Sequence, residues 1–205
     1  MPMVESDLAD KIAKALNSKD GATPEITNTA KAFVAVVKGG IFMHALVNGT
    51  APPGGPLQAG AAEGGVILLP LAATLPVQIA AALKGPPTPQ IMGLAMGFAT
   101  HIQTGLVSFA SGNIMGACTN TALTPGPVLA GGQNGQIKGL SGSALSSLWS
   151  APLGGKSKEI DEMAKVVAEY FSKEAMGSYV MGTVTGGAPP GGGPVVAVGA
   201  GGTFS

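Results

Sequence analysis

The chain has 205 residues, a formal net charge of zero, 45% apolar side chains and only 11% charged ones, where ordinary soluble domains carry about a quarter. That balance excludes a disordered chain, which lacks apolar residues to bury. It also excludes nucleic-acid binding through phosphate neutralisation, which needs a basic cluster.

The N-terminal residues Met1 to Asp7 lack the basic and apolar regions of a secretion signal. A first short helix is predicted over 4–17, closed by the breaker Asp20-Gly21. Thr23-Pro24-Glu25 then suits a helix start, and Ile26, Ala30, Phe33, Val34, Val37 and Ile41 recur at helical spacing. A glycine/proline arm follows, Ala51-Pro52-Pro53-Gly54-Gly55-Pro56-Leu57-Gln58-Ala59. The order then repeats. A short helix over 71–83 and the breaker Gly85-Pro86-Pro87 precede a long one begun by Thr88-Pro89 and carried by Ile91, Leu94, Ala95, Phe98, Ile102 and Leu106. Its arm is Thr124-Pro125-Gly126-Pro127-Val128-Leu129-Ala130. A third short helix over 141–149 and the breaker Pro152-Leu153-Gly154-Gly155 lead to Ser157-Lys158-Glu159 and a helix carried by Ile160, Met163, Val166, Val167, Tyr170, Phe171 and Met176. The last arm is Ala188-Pro189-Pro190-Gly191-Gly192-Gly193-Pro194-Val195-Val196-Ala197.

The Gly-Pro steps of the three arms fall at 55, 126 and 193, about 70 residues apart, a recurrence that reads as an internal repeat. The expected fold is mainly α with extended or β arms: three tandem helical-hairpin-plus-arm units, 1–67, 68–138 and 139–205, forming a helical core. One helical hairpin buries too little surface to be stable alone. Prolines block central sheet positions, so the arms are expected to lie extended on neighbouring subunits through Pro52, Pro53, Pro56, Pro125, Pro127, Pro189, Pro190, Pro194, Val195, Val196 and Val198. From Gly64 to Ile137 only Lys84 carries a charge, so the middle unit is expected to be buried in an assembly.

Each candidate for chemistry lacks a partner. His44 and His101, both placed late in long helices, would need further ligands to hold a metal. Cys118, the single cysteine, excludes an internal disulfide and fits a cytosolic folding compartment. Paired with His101 as a nucleophile it would need an orienting group, for which Asn113 and Asn120 are the polar residues at hand. Asp7, Asp10, Glu159, Asp161, Glu162, Glu169 and Glu174 stand beside lysines, with Lys165 four residues from both Asp161 and Glu169, as on a solvated helix face. Gly131-Gly132-Gln133-Asn134-Gly135-Gln136-Ile137-Lys138-Gly139 lacks the Gly-Lys-Ser/Thr ending of a phosphate loop. The expectation is no enzyme, no cofactor and no metal. Segments 65–83 and 91–110 are apolar enough to pose the alternative of a small membrane pore or anchor, but prolines or polar residues interrupt both, and no basic flank marks a cytoplasmic side.

The Ala-rich helix pair, the arm Val184-Thr185-Gly186-Gly187-Ala188-Pro189-Pro190-Gly191-Gly192-Gly193-Pro194 and the Gly-rich end Gly199-Ala200-Gly201-Gly202-Thr203-Phe204-Ser205 resemble small virion structural proteins of tailed bacteriophages, together with the opening Leu8-Ala9-Asp10-Lys11-Ile12-Ala13-Lys14-Ala15-Leu16. Proteins of that kind occur among baseplate, tail and neck components. The resemblance implies a particle component made in the host cytoplasm, with other virion subunits as partners and no catalytic residues to carry over.

Overall fold

The computed structural model describes residues 3–205. The chain divides into two compact units and passes between them at Gly40, Leu68, Gly105, Lys138 and Ala175. Each of the three sequence segments supplies a helix pair to one unit and a β-hairpin to the other.

The helical unit holds α1 (Glu5–Ala15), α2 (Pro24–Lys38), α3 (Leu75–Ala82), α4 (Pro89–Gln103), α5 (Gly142–Ser150) and α6 (Lys158–Glu174). Each helix packs on the next and α6 returns to α1, closing a ring of alternating short and long helices. The three long helices begin alike. The side chains of Thr23, Thr88 and Ser157 accept hydrogen bonds from the N–H groups of Ile26, Ile91 and Ile160, each in the first turn. Seven residues after each cap stands a buried alanine, Ala30, Ala95 or Ala164. Small residues there admit the aromatics that fill the ring. Phe33 stacks on Phe98 with centroids 4.2 Å apart, and Phe98 meets Phe171 at 5.2 Å. Trp149 lies beside Phe33 and donates its indole N–H to the Leu94 carbonyl at 2.9 Å. Tyr170 donates to the Val4 carbonyl and accepts the Val4 N–H, which ties the start of α1 to α6.

The second unit corrects the expected fold class. The chain is not mainly α: it is 38% helical and 34% strand, and the arms form a closed six-stranded antiparallel barrel with three additional strands. The strands are β1 (Ile41–Met43), β2 (Leu46–Ala51), β3 (Gln58–Gly64), β4 (Val66–Leu68), β5 (Leu106–Cys118), β6 (Gly126–Lys138), β7 (Met176–Ala188), β8 (Gly193–Gly199) and β9 (Gly202–Phe204). The order β2-β3-β5-β6-β7-β8 closes on itself through the β8–β2 pairing, and β4-β1-β9 continues from β7. The arms therefore satisfy their backbone groups on one another within the chain, and need no neighbour to do so.

Proline misled the sequence reading because its position within each arm was not legible. Pro52, Pro53, Pro125, Pro189 and Pro190 lie outside the strands, at the turns that join them. Pro127 and Pro194 stand second in β6 and β8, opposite Gly187 and Thr50. Pro56 bridges to Ala117. All are near strand ends, where a missing N–H costs least.

The barrel repeats its own register. Within their hairpins Thr50 faces Gln58, Ala117 faces Leu129 and Gly187 faces Val196. Inward from these positions lie three buried triples: Val47, Ile114 and Val184; Leu57, Val128 and Val195; Ala51, Cys118 and Ala188. β5 and β7 also kink at matching glycines, Gly112 with φ +85° and Gly182 with φ +89°, a conformation that side chains resist. Four aromatics cluster in this unit, Phe109 and Tyr179 from the barrel strands and Phe42 and Phe204 from β1 and β9: Phe42 lies 4.7 Å from Tyr179 and 5.1 Å from Phe204, and Phe109 lies 5.4 Å from Tyr179. Glycine makes the space for them. A Cβ at Gly135 would meet Phe109, one at Gly177 would meet Phe42, and one at Gly199 would meet Tyr179. In so narrow a barrel, large rings on some strands require bare backbone on others.

Candidate functional site

The residues considered for chemistry are not gathered. Among the described residues no group of three His, Cys, Asp or Glu side chains could hold a metal ion. His44 is not on a helix; it occupies the turn between β1 and β2 with φ +63° and donates its N–H to the Gly199 carbonyl at 2.7 Å. His101 is in α4 and only 2% exposed. Its Nε2 accepts the Ser141 N–H at 3.2 Å, and burial holds its pKa below the ordinary histidine value. The same helical position is Val36 in α2 and Tyr170 in α6, both buried, so His101 fills a core position. Cys118 stands where the other hairpins have Ala51 and Ala188, and burial pushes its thiol pKa up. It has the placement of a small core residue rather than an activated nucleophile.

The carboxylates lie on exposed helix surfaces, but their partners differ from those that spacing suggested. Asp161 accepts the Ser146 hydroxyl and lies 3.9 Å from Lys156, and Glu169 faces Lys173 at 4.0 Å. Gly131 to Lys138 is strand, not a phosphate loop, with a bulge where Asn134 adopts φ +58°. Segments 65–83 and 91–110 each combine strand and helix, and no helix among the described residues is long and apolar enough to cross a membrane.

An apolar depression of about 180 Å³ in the helical ring is lined by Thr29, Leu94 and Met163, each at the same step of its long helix, with Ile26 and Leu83. Glu25, paired with Lys84 at 3.0 Å, is the one ionisable side chain on its rim. That ion pair holds the Glu25 carboxyl below the usual range. Acid–base work needs a second group placed beside the first, and the lining supplies none.

The outer wall of the barrel is the distinctive surface. In the barrel unit the charged side chains are Glu63 and Lys138, and every other Asp, Glu and Lys falls in the helical unit. Between alternating inward residues the strands turn out Leu46, Asn48, Gln58, Met115, Leu129, Thr185, Val196 and Val198. Of these, Leu129 is 51% exposed and Val196 63% exposed. Val180 and Met181, beside the β7 kink, are 71% and 64% exposed. Soluble surfaces normally intersperse charge, and contiguous exposed apolar area marks an interaction site.

The three hairpin turns meet at one end of the barrel. Asn120, with no exposed surface, accepts the Gly54 N–H at 3.4 Å and donates to the Pro189 carbonyl at 2.8 Å. Gly191 donates its N–H to the Thr121 carbonyl at 2.9 Å. One side chain thus joins all three repeats. Of the arm residues singled out in sequence, Val195 is core, Val196 and Val198 are on the wall, and the prolines define the turns and strand entries. Val180 belongs to the alternating β-branched residues that read as extended arm, whereas Leu46, Met115, Leu129 and Met181 were not singled out, although strand alternation over 126–130 held the signal for Leu129. Asn120 had no such signal, since an asparagine in a turn is ordinary.

No family model, curated protein or solved structure matches the chain.

Proposed function

We propose that this chain is a structural assembly subunit without catalytic activity, held by other protein chains at the outer wall of its barrel. The observation that carries the reading is the wall itself: uncharged except for Glu63 and Lys138, and studded with exposed Leu, Val and Met side chains. Such a surface is costly in water and gains by being covered. Contact through it works by side-chain packing. Strand donation by the arms is set aside, because their backbones are already paired.

A barrel that spans lipid carries a polar or water-filled interior and at least eight strands. This one has six strands, and its interior is filled by Phe109, Tyr179 and buried aliphatic side chains such as Val47, Ile114 and Val184, which favours a protein environment over a bilayer. We place the subunit in a bacteriophage virion, as a tail, baseplate or neck component assembled in the host cytoplasm with other virion proteins. That assignment follows the pattern of Ala-rich helix pairs and Gly/Pro arms described above.

Gradient fractionation of particles tests it. The chain is expected to co-sediment with particles and to remain with them through a detergent wash. Absence from particles, or recovery with lipid vesicles, overturns the reading.

A further inference from the structure

We propose that the barrel seats inside a threefold-symmetric ring of neighbouring subunits, one chain to each ring. The inference rests on the structural-subunit reading and names its partner by shape and chemistry.

The uncharged wall is not a patch on one side. Proceeding around the barrel, Leu46 on β2 faces Val198 on β8, Val198 faces Thr185 on β7, Thr185 faces Leu129 on β6, and Leu129 faces Ala117 on β5. Pro56, just before β3, bridges to Ala117 and brings the row back to the first hairpin. The row begins beside Glu63, which faces Leu46 on the neighbouring strand, and from Leu46 on to Ala117 it carries no formal charge. A second copy joined by a twofold axis covers one matching patch on each molecule and leaves the rest of the circumference in water. A ring covers all of it.

The threefold order comes from the register. Gln58, Leu129 and Val196 each follow a proline and a buried aliphatic residue, and each lies opposite the matching residue of its own hairpin. Three outward positions therefore recur around the barrel in equivalent settings. Three identical subunits arranged about an axis present the same inner face three times, and one barrel of this kind meets them all. Asn120 holds the three turns together at the barrel end, so that end enters as a single rigid tip. Glu63 and Lys138 are both remote from it: Glu63 pairs with Ser108 and Lys138 with Leu106, at the opposite end of β5 from Cys118. The inner face of the ring is accordingly uncharged around the tip, lined there by aliphatic and hydroxyl side chains, and meets one carboxylate, Glu63, where the row reaches Leu46.

The test places a photo-reactive benzophenone amino acid at Gln58, at Leu129 or at Val196 of the full chain, one position at a time. The chain is assembled into particles, irradiated and analysed by mass spectrometry. All three positions are expected to cross-link to the same segment of one neighbouring polypeptide, with copies of that neighbour per chain a multiple of three. With the chain present in particles, the ring proposal alone is overturned by cross-links from a single position, by cross-links to a second copy of this chain, by no cross-links, or by a copy ratio not divisible by three. Absence of the chain from particles overturns the structural-subunit reading as well.

Discussion

Asn120 is a buried amide whose hydrogen bonds run to two other repeats. Removing one partner of a buried hydrogen bond leaves the other unsatisfied, which costs about 1–3 kcal/mol. Asn120→Ala is expected to lower unfolding stability by that order, read from the midpoint of a urea titration, and to raise proteolysis at the Pro52-Pro53 and Pro189-Pro190 turns. His101 gives a pH dependence. Burial lowers its folded pKa below the usual 6.5, so as pH falls the unfolded chain takes up a proton that the folded chain refuses. Stability then declines with falling pH. The contribution of neutral His101 is complete above about pH 6.5 and is lost as pH falls toward the folded pKa. His101→Gln retains a polar group near the Ser141 N–H but does not titrate. It is expected to flatten the stability profile below about pH 6.5, and an unchanged profile would refute the assignment. Tyr179 offers a contrast. Its hydroxyl is buried against the Ala45 backbone without completing a hydrogen bond of normal geometry. Tyr179→Phe removes the unmet group and is expected to be neutral or stabilising by up to about 1 kcal/mol, measured as a rise in Tm.

At the scale of elements, the three long helices start with one device repeated. Thr23, Thr88 and Ser157 each receive the N–H of an isoleucine three residues on, at 3.4, 3.3 and 3.2 Å. Substituting any one by alanine is expected to cost about 1 kcal/mol, with similar losses at all three sites in chemical denaturation. A loss confined to one site would show that the repeats do not share this start. The hairpins rely on a different economy. Their glycines are bare where Phe42, Phe109 and Tyr179 press on the opposite backbone. These glycines therefore mark close packing: backbone is left bare where a few large rings press on it.

At the scale of the molecule, closure governs both units. The helical ring closes where α6 meets α1, and the barrel closes where β8 meets β2. Each closure joins the last repeat to the first, so neither unit is complete until its part of the third repeat is made. A chain ending after Met181 loses the rest of β7 together with β8 and β9. It leaves β2 and β6 with unpaired edges, which favour aggregation. Such a truncation is expected to abolish protease resistance of the barrel rather than to free an arm. A truncated chain whose remaining strands stay protected would contradict the closed barrel. The division of charge belongs to this scale too. The low-charge stretch from Gly64 to Ile137 spans parts of both units, so low charge is not the property of one compact body. α3 and α4 do expose Val77, Met92 and Met96, but the larger contrast separates barrel from helices.

The amino-acid sequence by itself determined the helices and their starts, because apolar spacing, Thr-Pro caps and Gly/Pro breakers act over a few residues and need no distant partner. It also displayed the threefold recurrence of the arms, since repetition is a property of the string. Only the tertiary structure decided what the arms became. Strand pairing is non-local: β2 finds β8 by closing a circle that no window of sequence contains. The prolines that argued against a sheet fall at its turns and strand entries, and Gly135, Gly177 and Gly199 lie against aromatic rings. Both facts depend on which residues face each other across the barrel, and that register is set by closure and packing together.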